Sequence, residues 1–470
     1  MKPLSPTDAM FLWLEGRRQP MHVGGLHLYT PPIGAGTDFV QRLVEGWREY
    51  PKAFAPFDQF PHFRFGHYFW DEDPEFELDY HLRHSALPRP GRVRELLGLV
   101  SRLHGTLMDR TRPLWEVNVI EGLADGRVAL YMKVHHAMFD GVAAMRMMSR
   151  LLTPDPTEQR PPIWAQTRPK RERTPEDKAL AEQPHPGLLE RALKMGAEIF
   201  PGVQSGLREL IGDETAAHAQ PYGAPPTMFN VKISGSRRFA AQSFQLERFQ
   251  AIGKAASATV NDVTLAICSG TLRRYLLAHN SLPEKPLTAM VPVSLRDESQ
   301  DGGNALTILI ANLGTHLEDP LERMKLIIES TTLAKERLGK MSKLERVAHA
   351  AAMSTPMGAS MVTGHAKRRP IYNVVISNVP GPKQVLYLDG MRLDESYPVS
   401  IPVDYLALNI TITGYNKDLG FGYTACRRSV PQLQRMLDYT DESLRELETA
   451  LGLGSREPAS RASSAKLARS

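Results

Sequence analysis

The residues best able to do chemistry in this chain lie in one short segment, His135-His136-Ala-Met-Phe-Asp140-Gly141. The segment falls where an apolar alternating run gives way to a helical one, and strand-to-helix junctions are where sites form in α/β folds. A helix N-terminus carries partial positive charge, which disfavours imidazolium. A histidine held there stays neutral, as a general base must. Two other readings stand beside this one: a pair of hydrogen-bonded core histidines, and a metal pair. Adjacent histidines on a strand point to opposite faces, so both rarely bind one ion. The same alternation makes one histidine catalytic and the other structural.

The elements that must position this segment are legible on both sides of it. Val117 and Val119, then Val128, Leu130, Met132 and Val134, alternate around an Ala124-Asp125-Gly126 turn, which predicts a hairpin. The mostly apolar run from Val142 to Leu152 predicts a helix packed on a sheet. From Thr153 to Pro186 prolines and charges dominate, and an exposed linker is expected. A candidate helix follows at Leu188–Ile211, broken near Pro201-Gly202; the part from Leu188 to Phe200 has an apolar stripe with Arg191 and Lys194. Such a stripe packs on the protein's own core or lies on a membrane or lipid droplet. Further on, a strand is expected at Ser236–Leu246, a helix at Asn261–Leu277 capped by Thr259 or Asn261, and a strand at Leu287–Leu295. A helix starting after Pro320 and short buried strands at Val374–Ser377 and Leu406–Thr413 complete the pattern.

A chain of 470 residues is long enough for two lobes of ordinary domain size. Its hydrophobic share of 42% and charged share of 23% are those of a globular protein. A net charge of +5 on so long a chain does not indicate nucleic acid; it suits an anionic small ligand or an anionic membrane surface. Cys268 and Cys426 lie far apart in apolar stretches without metal-ligand spacing, so buried free thiols and a reducing compartment are expected. The N-terminal stretch lacks the apolar region and cleavage site of a signal peptide, and no apolar run is long enough to span a bilayer. A soluble or peripheral protein is expected.

The pattern HHxxxDG resembles the signature of the chloramphenicol acetyltransferase-like superfamily, which includes peptide-synthetase condensation domains and plant alcohol acyltransferases. The rest of the chain narrows the resemblance. Leu4-Ser-Pro-Thr-Asp8, Pro20-Met-His-Val-Gly24, Leu87-Pro-Arg-Pro-Gly91, Asp109-Arg110 and Arg112-Pro-Leu-Trp-Glu116 are similar to blocks of the wax ester synthase/acyl-CoA:diacylglycerol acyltransferase family. Arg237-Arg-Phe239, Val260-Asn-Asp-Val263, Val291-Pro-Val-Ser-Leu-Arg296, Gly303-Asn304 and Ser377-Asn-Val-Pro-Gly-Pro382 continue the set in order. The DFGWG block of condensation domains is absent, which counts against a peptide-bond-forming member.

The resemblance implies an α/β fold of two chloramphenicol acetyltransferase-like lobes, each a mixed sheet with helices, and an active-site tunnel between them. The expected divisions are an N-terminal lobe at 1–155, a linker and crossing helix at 156–225, a C-terminal lobe at 226–454 and a disordered tail at 455–470. It implies transfer of a long-chain acyl group from acyl-CoA to a fatty alcohol or a diacylglycerol, with His136 as base and with His135, Asp140 and Gly141 completing the motif. Asp140 either polarises the histidine as a triad partner or points away and pairs with an arginine, for which Arg296 is the candidate. Asn261, Ser377 and Asn378 are candidate oxyanion donors, and Asp262, Gly381 and Trp115 candidate substrate-site residues. Each of these has a plainer reading: Asn261-Asp262 as a helix cap, the Val379-Pro-Gly-Pro382 stretch as a turn, Trp115 as core. No cofactor or metal is implied beyond acyl-CoA as co-substrate. The implied location is cytoplasmic, peripheral on the inner membrane or on lipid droplets. Another acyltransferase of the superfamily, with a different donor or acceptor, and an inactive lipid-binding member are the alternatives.

Overall fold

The computed structural model describes residues 2–139, 147–167, 223–294, 306–342, 345–346, 349 and 367–454. The first part carries β1 (Lys2–Pro3), α1 (Pro6–Leu14), β2 (His22–Thr30), α2 (Phe39–Arg48), β3 (Gln59–Arg64), β4 (His67–Glu72), α3 (Leu78–His81), β5 (Leu82–Ala86), α4 (Val93–Gly105), β6 (Trp115–Glu121) and β7 (Val128–His135). The second part carries β8 (Arg237–Gln245), α5 (Leu246–Ala255), α6 (Val260–Ala278), β9 (Thr288–Ser294), β10 (Leu306–Asn312), α7 (Pro320–Gly339), β11 (Val374–Val379), β12 (Tyr387–Leu388), β13 (Met391–Val399), β14 (Leu408–Tyr415), β15 (Asp418–Cys426) and α8 (Arg435–Ala450). The expected hairpin, strands and helices of the described residues are all present. The helix expected from 142 is described only from residue 147, and the 188–211 helix and the 455–470 tail lie outside the described residues.

Two six-stranded sheets form the lobes, in the orders β12-β13-β2-β7-β6-β5 and β10-β9-β11-β14-β15-β8. The strand Met391–Val399 comes from the expected C-terminal lobe, yet it pairs antiparallel with β2 of the first sheet. Its passage across β15 is close: a Cβ at Gly422 would overlap the carbonyl oxygen of Pro398. Only glycine lets the two sheets' backbones meet there. A small third sheet, β1-β4-β3, stands beside α1.

Strand β7 is buried along its whole length because both of its faces are covered. Leu130, Met132 and Val134 share one core with Val40, Val44 and Trp47 of α2. Ala129 and Tyr131 face α4 and the β8 residues Phe239 and Ala241 of the other lobe. Beside the second sheet α6 is buried from Asp262 to Leu272, flanked by the helices α5, α7 and α8. Cys268 and Cys426 are buried free thiols, as expected. The expected exposed linker is corrected at its start. Thr153, Ile163 and Trp164 are buried, and the Trp164 indole stacks on Trp115, so the apolar residues of this proline-rich stretch are core residues of the first lobe. No helix among the described residues is long and apolar enough to cross a membrane.

Candidate active site

His135 ends β7, and its ring is locked. Its Nδ1 accepts the Ala137 backbone N–H at 3.1 Å, so the proton sits on Nε2, which faces Glu15 Oε1 at 3.4 Å. Glu15 follows α1 directly, is almost fully buried, and accepts hydrogen bonds from Met21 N–H (3.1 Å) and Arg110 Nε (2.9 Å). Burial alone would raise its carboxyl pKa; His135, Met21 and Arg110 together outweigh that and hold it below the usual value. Arg110 also donates to Leu12 O at 2.8 Å, so the end of α1 is tied to the histidine motif from two directions.

His136 lies one residue beyond the strand and is only half-buried. Its backbone N–H donates to Met21 O at 2.9 Å, and its ring stacks on Phe11 of α1 with centroids 4.1 Å apart and planes 12° apart. The two histidines thus meet different surroundings: His135 is enclosed and faces Glu15, whereas the half-buried His136 lies beyond the strand end and is stacked on Phe11. Glu15, Arg110 and Phe11 were not read from the sequence as site residues. The signal was faint, an acid and an arginine in otherwise apolar surroundings, and their sequence distance from the motif hides the pairing.

Behind the pair lies a layer of buried polar groups on the strand face shared by Tyr131, Lys133 and His135. Lys133 opposes Glu116 across the β6–β7 ladder at 3.2 Å, with both side chains nearly inaccessible, and its Nζ also donates to Leu103 O and Thr106 O. His22, opposite His135 in register, donates through Nε2 to His104 O at 2.5 Å. His104 in turn donates through Nε2 to Ser400 O and accepts from the Tyr131 hydroxyl, each at 2.8 Å, which joins the two halves of the chain.

Burial keeps His22, His104 and two further enclosed histidines, His27 of β2 and His81 of α3, neutral. Desolvation pushes His27 and His81 down to about 4 and His104 down to about 3. Below the ordinary histidine value of about 6.5 the unfolded chain binds protons that the folded one refuses. Their contribution is therefore fully present above that value and is lost as pH falls toward 4, at about 1.4 kcal/mol per pH unit for each residue. Urea unfolding at pH 7.5 and at pH 5 is expected to show a lower midpoint in acid, and His27→Leu should make that dependence less steep. An equal midpoint at both values would contradict these buried neutral histidines.

The remaining candidates separate on inspection. Asp140, Gly141 and Arg296 lie outside the described residues. Trp115 is a core residue: its indole N–H donates to Phe57 O at 2.7 Å and its ring is sandwiched by His81 and Trp164. Asp262 takes up the capping reading. It forms a reciprocal capping box with Thr259, the N-cap of α6, and its other oxygen accepts from Thr331 at 2.8 Å. An acceptor-only carboxylate so engaged has nothing to offer an oxyanion. Asn261 sits beside it in the first turn of α6, half-buried. Gly381 lets two backbone segments meet, because a Cβ there would overlap Gly414 O. Ser377 and Asn378 are neighbours on β11, so they face opposite sides. Asn378 pairs in register with Ile412, whose face packs under the helices, whereas Ser377 pairs with Thr411 on the face turned to the first lobe. Among the described residues no group of three or more His, Cys, Asp or Glu side chains stands together that could hold a metal ion.

Residues 4–264 match the wax ester synthase/diacylglycerol acyltransferase catalytic domain, and residues 302–448 match the C-terminal domain of the same family. The chain belongs to the wax ester synthase/diacylglycerol acyltransferase family. It is 43% identical to the O-acyltransferase WSD of Acinetobacter baylyi over 95% of this chain and 97% of that protein. It is likewise 43% identical to the solved wax ester synthase/diacylglycerol acyltransferase of Marinobacter aquaeolei, with a TM-score of 0.79 over 96% of this chain and all of that one. A condensation domain of the calcium-dependent antibiotic synthetase shares the fold at 13% identity, with a TM-score of 0.59 over 96% of both chains. This wax ester synthase/diacylglycerol acyltransferase family member is an O-acyltransferase with the two-lobed α/β architecture expected from its sequence blocks.

Proposed function

We propose that this O-acyltransferase moves a long-chain acyl group from the thioester of acyl-CoA to the hydroxyl of a fatty alcohol or a diacylglycerol, with His136 as general base. The observation that carries the histidine assignment is the division within the pair. His135 is spent on Ala137 and Glu15, while the half-buried His136 is oriented by Met21 O and Phe11.

An alcohol hydroxyl is a poor nucleophile until its proton is taken. His136 removes that proton as the oxygen attacks the thioester carbonyl, forming a tetrahedral intermediate. Collapse breaks the carbon–sulfur bond, and the imidazolium returns the proton to the departing thiolate, leaving free coenzyme A and an ester. Transfer is direct, since both cysteines are buried away from the thioester: burial raises the Cys268 thiol, and at Cys426 burial is outweighed by hydrogen bonding with Ser234 and Ser429, which brings the thiol down to about 7 without exposing it. Ser377, on the face turned to the first lobe, and Asn261 are the donors for the developing oxyanion. Acyl-CoA is the only additional small molecule required. A tunnel between the lobes takes the apolar substrates, and the enzyme works at the inner membrane surface or on lipid droplets.

The test is thiol release from palmitoyl-CoA, followed with hexadecanol and separately with a diacylglycerol. Release that depends on either acceptor, with the matching ester recovered, is the expected result and ranks the two. No acceptor-dependent release with either one would overturn the proposal.

A further inference from the structure

Helix α1 reaches the site with one side and solvent with the other. Phe11 and Leu12 pack into a small apolar cluster with Ala137, Met108 and Leu114, immediately beside His136. The opposite side leaves Met10 42%, Trp13 61% and Leu14 38% exposed. Beside it stands the β3–β4 hairpin, whose Phe63 and Tyr68 meet the Trp13 ring with centroids 5.3 and 5.4 Å away. At its tip Phe65 is 94% exposed.

Two features make this patch more than scattered surface hydrophobics. The tip is a two-residue turn, and Phe65 holds a φ of 50° there, a left-handed conformation that glycine, asparagine and aspartate favour and that a bulky residue rarely adopts. A phenylalanine so placed and so exposed gains nothing from folding. The flanking charge is basic: Arg64 on the tip and Arg17 and Arg18 on the turn after α1 are all exposed. Of the acids nearby, Asp8 is engaged with Ser5 in the helix cap, Asp71 with His62 and Glu15 in the buried cluster, while the exposed Glu72 sits at the end of the hairpin opposite its tip. Exposed aromatics ringed by arginines fit the interface of an anionic lipid surface, where the rings enter the acyl boundary and guanidinium groups meet the headgroups.

We infer that α1 and the β3–β4 hairpin tip dock this enzyme on an anionic phospholipid membrane. This deepens the reading above, on which the acceptors are water-insoluble, because docking by α1 sets the lipid surface one helix thickness from His136.

The experiment is flotation of the full chain with vesicles of phosphatidylcholine, with and without phosphatidylglycerol, combined with quenching by brominated lipid. Trp13 is a suitable reporter, since Trp47, Trp115 and Trp164 are buried and Trp70 is half-buried. The wild type is expected to float with the anionic vesicles, less with the neutral ones, and to lose tryptophan emission to the brominated lipid. Two variants, Trp13→Ser/Phe65→Ser and Arg17→Glu/Arg18→Glu/Arg64→Glu, should each lower partitioning at least about tenfold. Both change exposed side chains only, and far-UV circular dichroism checks their folding. A wild type that stays unbound, or variants that float as it does, would overturn the docking surface. Equal flotation with neutral vesicles would overturn its anionic preference. Flotation without acceptor-dependent thiol release would sink the acyl-transfer reading and leave docking standing; release without flotation would do the reverse.

Discussion

Replacing His136 by alanine is expected to lower acceptor-dependent thiol release by about 100-fold to 10,000-fold, the range that a positioned general base contributes. The loss should fall on kcat more than on KM, since the imidazole acts as the hydroxyl proton moves rather than in holding either substrate. Stability should change little, because His136 is half-buried and its backbone bond to Met21 survives the substitution. Steady-state kinetics beside thermal unfolding of the same preparation check both parts. A folded variant that retains wild-type kcat would remove His136 from the chemistry and with it the proposed mechanism.

The largest stability effect is expected at Lys133. Its ammonium is paired with Glu116 at 3.2 Å inside the lobe, and desolvation holds its pKa below the ordinary lysine value in spite of that partner. Lys133→Met removes the cation and leaves the buried carboxylate facing only the longer contact to Arg83 at 3.5 Å. Breaking one member of a buried pair costs about 3–5 kcal/mol, whereas replacing both members with apolar groups of similar size is often neutral. Lys133→Met is therefore expected to lower unfolding stability by that amount, and Lys133→Met/Glu116→Leu to recover most of it. Urea titration of the single and double variants decides the matter. A single variant within about 1 kcal/mol of wild type would show that the pair is not the energetic link between these strands.

Much of the architecture was legible before any coordinates. The alternation of Val117, Val119, Leu130, Met132 and Val134, the Thr259 cap, and the helix start at Pro320 are local signals, and each produced the element expected of it. Such features depend on residues a few positions apart, so backbone periodicity and capping chemistry settle them. The ordered blocks that pointed to the family did the same for the overall architecture and the acyl-transfer reaction.

What the sequence left open depended on groups far apart along the chain. Nothing near the motif says which histidine is enclosed. The answer came from Glu15, held in turn by Arg110, which reaches His135 only because α1 folds back over the end of β7. Asp262 read equally as a site residue or a cap until Thr331 of α7 was found on its second oxygen. Trp164 read as linker because prolines and charges surround it, yet a single indole with a core to enter outweighs its polar neighbours. The membership of β13 in the first sheet, and the exposed side of α1, were likewise invisible. Sequence determined the elements and the family through local chemistry and ordered blocks; the three-dimensional packing alone decided which faces met, and so which polar groups were spent on structure.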